Sequence, residues 1–277
     1  MKVLLAVDAS PDSRHAARIV TGLAEPPDLD ILHVVDLDAL KHAYISPSLP
    51  AGYYETYRQE VSEAAERVLH DMKAELVPYA KHLRLIADAG DAAESIVQTA
   101  EESRADLIVL GQRGMTASFA FLLGGVSQKV ATYAPCSVLV VKDSAGSLDR
   151  LLLAVDGSEA SDRAVRFLET APFKGPLHIT VVTVWAQGGE TAPRTAQAKG
   201  EDFLATIAQR LARRAVAVET EYLTGDPALA ILDAASRRQA RMIVLGARGA
   251  KAIQRFLLGS VSQKVLVHAP CSVLIVR

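Results

Sequence analysis

Hydrophobic residues along the first half of the chain gather in short β-branched runs, VLLAV, DILHVV, LRLIA, DLIVLG and CSVLVV. Between them lie stretches with apolar positions at helical spacing, such as Asp91 to Arg104 and Ser13 to Leu23. The runs are short and rich in β-branched residues, which reads as strands. Five strands alternating with four helices, with no Asn-Gly hairpin between them, predict parallel crossover units. LIVLG at 107–111 and MIVLG at 242–246 are apolar throughout, as central strands covered on both faces should be. The second half repeats the order with LLLAV, HITVVTV, AVAVETEYL, RMIVLG and CSVLIV. The predicted fold class is α/β: two tandem doubly wound domains, each on a five-stranded, mostly parallel sheet.

The repeat has a measurable register. GQRGMTASFAFLLGGVSQKV at 111–130 returns as GARGAKAIQRFLLGSVSQKV at 246–265, an offset of 135 residues that also joins Cys136 to Cys271 and Gly90-Asp91 to Gly225-Asp226. LLAVDAS at 4–10 returns as LLAVDGS at 152–158 with an offset of 148, so the first half carries about 13 extra residues before Gly90. They are expected in the region 36–60, whose Pro, Gly and Ser mark a long loop and which holds Tyr44, Tyr53, Tyr54 and Tyr57. A surface loop pinned by aromatic packing is the favoured reading there, with a lid or partner-binding surface as the alternative. The polar stretch KDSAGSLDR, 142–150, reads as the linker. The expected units are residues 1–143, a linker at 144–149, and residues 150–277.

Composition narrows the partners. The chain has 277 residues, 50% of them hydrophobic and 22% charged, with a net charge of −2. Such a balance suits folded domains with real cores, and it gives no general electrostatic reason to expect nucleic acid or an anionic membrane. The opening MKVLLAVDAS is interrupted by Asp8 before an export signal could be completed, and no stretch approaches the ~20 apolar residues of a membrane span. Cys136 and Cys271 share the phrase APCSVL and read as small buried strand residues rather than a disulfide. A cytoplasmic protein is the expectation.

Chemistry concentrates at the end of the fourth strand of each half. In open parallel sheets, ligands bind at the carboxyl ends of the strands, near the point where strand order reverses. Gly246 and Gly249 let the backbone turn tightly and come close to a ligand. Gly259-Ser260-Val261-Ser262 then opens a helix whose free amides and positive dipole end suit an anion such as phosphate. Three or four amide hydrogen bonds to charged oxygens, at roughly 1.5–3 kcal/mol each, are enough for micromolar affinity. Ser260 and Ser262 can add hydroxyl donors. Arg113 and Arg248 can add charge or face solvent, and Lys129 and Lys264 read as solvated. The alternative is that these glycines only turn the chain and cap a helix. Asp8 and Asp156 end the first strand of each half, where an acid can hold a base amine, a ribose hydroxyl or a magnesium ion, or cap the next helix in competition with Ser10 and Ser158.

Several chemistries lack their motifs. There is no G-x-x-x-x-G-K-[ST] loop, no G-x-G-x-x-G after the first strand and no G-x-S-x-G elbow. The seven histidines show no metal-ligand spacing, and no nucleophile has a base beside it. Catalytic and metal-ligating residues are therefore not assigned.

The spacing Gly, two residues, Gly, nine residues, Gly-Ser in GARGAKAIQRFLLGS resembles that of the universal stress proteins, and both halves resemble the family nearly end to end. The first half fits through Gly111, Gly114 and Gly124, but Gly125 stands where the family has a hydroxyl residue. The resemblance implies a nucleotide-binding α/β fold whose last strands pair, Ser137–Val141 against Ser272–Val276. This gives an intrachain pseudo-dimer, and further dimerisation of such chains is common. It also implies ATP with its Mg2+ as ligand. Asp8 with Val34 and Asp156 with Val184 would hold the adenosine end. Gly111, Gly114, Gly124, Gly125, Val126 and Ser127 would hold ribose and phosphates in one half, and Gly246, Gly249, Gly259, Ser260, Val261 and Ser262 in the other. The implied role is a stress-response regulatory protein in which nucleotide occupancy modulates interaction with a protein partner. A nucleotide-free scaffold and a weak ATPase are the alternatives.

Overall fold

The computed structural model describes residues 1–35, 53–114, 123–142, 148–170, 173–186, 194–213, 215–248 and 258–277. In the first half, strands β1 (Lys2–Val7), β2 (Asp28–Val35), β3 (His82–Ala89), β4 (Leu107–Gly111) and β5 (Ser137–Val141) alternate with four helices. These are α1 (Pro11–Thr21), α2 (Tyr53–Leu76), α3 (Ala92–Ser103) and α4 (Gly125–Tyr133). The second half repeats the order as β6 (Arg150–Ala154), α5 (Glu159–Thr170), β7 (His178–Trp185), α6 (Arg194–Leu211), β8 (Ala217–Thr224), α7 (Pro227–Arg237), β9 (Met242–Gly246), α8 (Ser260–His268) and β10 (Ser272–Val276). The alternation expected from the hydrophobic runs is the one observed.

All ten strands join one sheet in the order β3-β2-β1-β4-β5-β10-β9-β6-β7-β8. Neighbours within each half are parallel, while β5 and β10 meet antiparallel, with Leu139 opposite Leu274. The carboxyl edges of the two halves therefore face opposite ways. Four central strands lie around this seam, and β5, β9 and β10 are buried along their whole length. That is why they read as unbroken apolar runs. The outermost strands β3 and β8 expose many residues, and cross-strand or helix-borne charges such as Arg84 on Asp30 and Arg238 on Glu219 guard them. One apolar core lies on each face, and each runs across the seam: Leu5, Leu139, Leu153 and Leu274 share one, and Ile108, Val138, Ile243 and Ile275 the other. A second seam contact pairs Leu23 with Phe173, and the Lys174 amide donates to Gly22 O at 2.7 Å. Cys136 and Cys271 form no disulfide.

The long-loop reading of 36–60 needs correction at its end. Residues 36–52 lie outside the described residues, but Tyr53 already opens α2. The helix buries Ala65, Leu69, Met72 and Leu76, a stripe at spacings of three and four, and its regular backbone extends back beyond the stripe. The turn-forming residues stop at Gly52, which is where the sequence signal should have been cut. Residue 143 and linker residues 144–147 also lie outside the described residues. Among those described, no helix is long and apolar enough to cross a membrane.

Candidate functional site

Strand order reverses at β1, which has β2 on one side and β4 on the other, and again at β6 between β7 and β9. Helices leave opposite faces of the sheet on either side of such a point, so a crevice opens above the strand ends. Each crevice holds a cavity, about 420 Å³ in the first half and about 550 Å³ in the second. Both lie within the range of roughly 300–1,000 Å³ usual for small-molecule sites. Asp8, Val34, Gly111, Gly114, Val126 and Ser127 line the first. Asp156, Val184, Gly246, Gly259, Ser260, Val261 and Ser262 line the second. Gly124 and Gly125 are the N-cap and first residue of α4. Gly249 lies outside the described residues.

The helix starts differ in a way that points to a ligand. Side-chain oxygens of Ser10, Asp91, Ser158 and Asp226 accept amide hydrogens at the starts of α1, α3, α5 and α7. Other helix starts at the cavities are closed in this way, Ser10 and Ala92 lining the first and Pro227 the second, but α4 and α8 have glycine N-caps, Gly124 and Gly259, and no side-chain cap. Their first helical hydrogen bonds run from Gln128 N to Gly124 O (3.0 Å) and from Gln263 N to Gly259 O (2.9 Å). The amides of Gly125, Val126 and Ser127, and of Ser260, Val261 and Ser262, come before those bonds. Each helix thus presents a fan of amides and its positive dipole end to a cavity.

The glycines that open the two loops have a different physical reason from the one expected. Neither Gly111 nor Gly246 has a positive φ. A β-carbon on Gly111 would lie 2.7 Å from the Asp12 carbonyl carbon, and one on Gly246 would lie 2.5 Å from that of Ala160. These glycines let α1 and α5 pack onto the strand ends. Gly114 serves the cavity more directly, since its β-carbon would lie 2.7 Å from Asp8 Oδ2.

Hydroxyl roles are also redistributed. Ser262 Oγ donates to Gly246 O at 2.9 Å, and Ser127 Oγ donates to Gly111 O at 2.8 Å. These protons lock the helix start to the glycine loop instead of facing the cavity. Ser260 is exposed at the first position of α8, while a β-carbon at Gly125 would have nothing within 4 Å. The hydroxyl difference between the halves therefore sits at an open, uncrowded point.

The strand-end acids do not cap their helices. Asp8 Oδ1 and Asp156 Oδ1 each accept the amide of the serine two residues on, at 3.0 Å, and it is Ser10 and Ser158 that cap. Arg113 turns back to Asp12 Oδ2, with its amide at 3.1 Å, and Arg248 lines the second cavity. Lys129 and Lys264 reach the helix-capping acids Asp91 and Asp226, at 3.1 and 3.7 Å. Backbone amides at the helix starts, with these lysines, hold both carboxyl groups below their usual range.

Some lining residues had no reading from the sequence. Val61, Ala64 and Val68 of α2 wall the first cavity. His33 also lines it, and its Nδ1 donates to Val7 O at 2.8 Å. The apolar stripe of α2 could have suggested the wall, whereas nothing in the sequence marks His33.

The fold defines a tandem doubly wound α/β protein with one cavity at a glycine-capped helix start in each half. The Universal stress protein family model matches residues 1–142 and 147–277, and the chain belongs to that family, once with each half. A universal stress protein of Mycolicibacterium smegmatis is 29% identical over 296 residues, covering 99% of this chain and 96% of that protein. One of Thermus aquaticus is 36% identical over 140 residues, covering 46% of this chain and 97% of itself. Among solved structures, a universal stress protein from Archaeoglobus fulgidus DSM 4304 superposes with a TM-score of 0.71 at 25% identity, covering 100% of this chain and 98% of that one.

Proposed function

We propose that this universal stress protein binds ATP, with its Mg2+, in the cavities above β1 and β6, and that occupancy changes the surface offered to a regulatory protein partner. The supporting observation is the contrast in helix starts. Four helices close theirs with a side chain, whereas α4 and α8, whose first residues line the cavities, leave amides open behind a glycine. A polyphosphate satisfies such amides and the dipole together. Asp8 and Asp156, which follow the first strand of each half and line the cavities, would take the ribose or base end, beside the main chain of Val34 and Val184.

The second cavity is the stronger site in this reading, because Ser260 keeps a hydroxyl where the first half has Gly125. A first half that stays nucleotide-free and acts as a scaffold is the second reading, and Gly125 is the observation that favours it.

Equilibrium dialysis of the full chain against Mg-ATP tests the proposal. Ser260→Glu places a carboxylate at the open helix start, where an acid suits the helix but repels phosphate. Binding to the unsubstituted chain and loss of the tighter site in Ser260→Glu are expected. Unchanged binding in that variant overturns the assignment of the second cavity, and no binding to the unsubstituted chain overturns the nucleotide reading altogether.

A further inference from the structure

The seam between the halves carries two cations that cross it. Lys142 follows the last residue of β5, and its ammonium donates to the carbonyls of Leu266, Val267 and Ala269 at the C-terminal end of α8, with the last two at 3.2 and 3.3 Å. Arg277 follows β10 in the same way, and its guanidinium donates to Ala131 O (2.6 Å) and Thr132 O (3.0 Å) at the C-terminal end of α4. Each backbone amide is also held from across the seam, Lys142 N by Ser272 Oγ at 3.3 Å and Arg277 N by Ser137 Oγ at 3.4 Å. The arrangement is reciprocal: each half supplies the cation that closes the other half's helix.

Both closed helices are the ones whose opposite ends face the cavities. A helix end with unsatisfied carbonyls is the negative pole, and a cation there complements it as an anion complements the other. The strands that carry the cations are tied in turn to their own glycine loops, by Gln112 N on Val141 O (2.8 Å) and Ala247 N on Val276 O (2.9 Å). A continuous path therefore runs from the loop of one cavity, through one strand end and one cation, along a helix to the mouth of the other cavity.

We propose that Lys142 and Arg277 are positioning residues acting across the seam, each setting the anion affinity of the cavity in the half to which it does not belong. The proposal rests on the reading of the cavities as phosphate sites. A nine-residue helix separates cation and anion by about 14 Å, and with an effective dielectric constant between roughly 20 and 80 the direct attraction alone amounts to a factor of about two to seven in affinity.

The test uses the full chain at pH 7 and low salt, with Mg-ATP as probe, in two backgrounds. Gly125→Glu leaves only the second cavity open and Ser260→Glu leaves only the first. Lys142→Met should weaken binding about two- to sevenfold in the first background and leave the second unchanged, and Arg277→Met should do the reverse. Lys142→Gln keeps a hydrogen-bond donor without the charge and serves if the methionine variant fails to fold. It should show the same cross-half loss, shrinking in ~0.5 M salt, and Lys142→Arg should restore affinity. Equal weakening of both cavities, or none in either, overturns the proposal. Absence of binding to the unsubstituted chain would instead refute the phosphate reading on which it stands.

Discussion

Gly246→Ala should destabilise the protein although the residue has an ordinary backbone conformation. The added methyl would stand 2.5 Å from the carbonyl carbon of Ala160, 2.6 Å from its oxygen and 2.8 Å from its Cβ. Two of those atoms are helix main chain and cannot rotate away, so α5 must lift off the end of β9. Overpacking of this kind costs about 1–3 kcal/mol, and a clash with backbone places this case at the upper end. For a chain of this size a loss of ~3 kcal/mol lowers Tm by roughly 6–12 °C. Gly125→Ala is the matched control: its β-carbon meets nothing within 4 Å, and a first-turn alanine should leave Tm unchanged or slightly raised. Thermal melts of both variants and the parent, followed by far-UV circular dichroism, decide the matter. A Gly246→Ala melt within about 2 °C of the parent, or an equal fall in Gly125→Ala, would refute the claim that this glycine is there to admit the helix.

Gly125→Ser should raise the Mg-ATP affinity of the first cavity about tenfold, the contribution of one hydrogen bond to a charged oxygen. Isothermal titration in the Ser260→Glu background reads it, and an unchanged affinity counts against Ser260 as a ligand group in the second half. Burial pushes the Lys142 ammonium down from 10.5 to about 8, so between roughly pH 8 and 10.5 the unfolded chain holds this proton more tightly than the folded one. Its contribution to stability therefore rises with pH across that window. The difference in unfolding free energy between the parent and Lys142→Met, from urea titrations at several pH values, should climb with pH there, and a flat or falling difference would be contrary to the burial argument.

Much of this was legible in the residues. Strands buried on both faces wrote themselves as unbroken apolar runs, and the twofold spacing of Gly111 and Gly246 exposed the repeat. The free amides of the helix starts also followed from sequence, because a helix that opens at Gly259-Ser260 leaves its first amides without helical partners. What escaped reading depended on contacts distant in the chain. The crowding at Gly246 comes from Ala160 on another element, so a glycine read as an approach to the ligand also meets a packing requirement. Ser262 looked like a donor to phosphate because nothing nearby competes for its proton in the sequence, yet Gly246 O takes it. Lys142 and Arg277 were single cations after a strand, with partners 124 to 146 residues away, and only the antiparallel seam brings them together. The start of α2 was lost for a local reason: Tyr53 to Glu60 precede the buried stripe and follow a Pro-Gly-rich stretch.

The inverted joining of the halves bears on how two nucleotides could report jointly. Because β5 and β10 run antiparallel while each half is internally parallel, the two mouths open on opposite edges of one sheet. A compact ligand or a short partner segment that touches one mouth does not touch the other. Coordination between them must then pass through the shared middle of the molecule, and the seam offers the material for it: two strands buried along their length, two helices with their far ends closed by the opposite half, and cores continuous across the join. Close-packed interiors transmit strain, so under the proposed binding a displacement of α8 would be carried to Lys142, to Val141 and to the loop at Gln112. Two domains that did not pair along this seam would have the mouths but not this connection, which gives the pairing of the halves a physical consequence beyond doubling the number of sites.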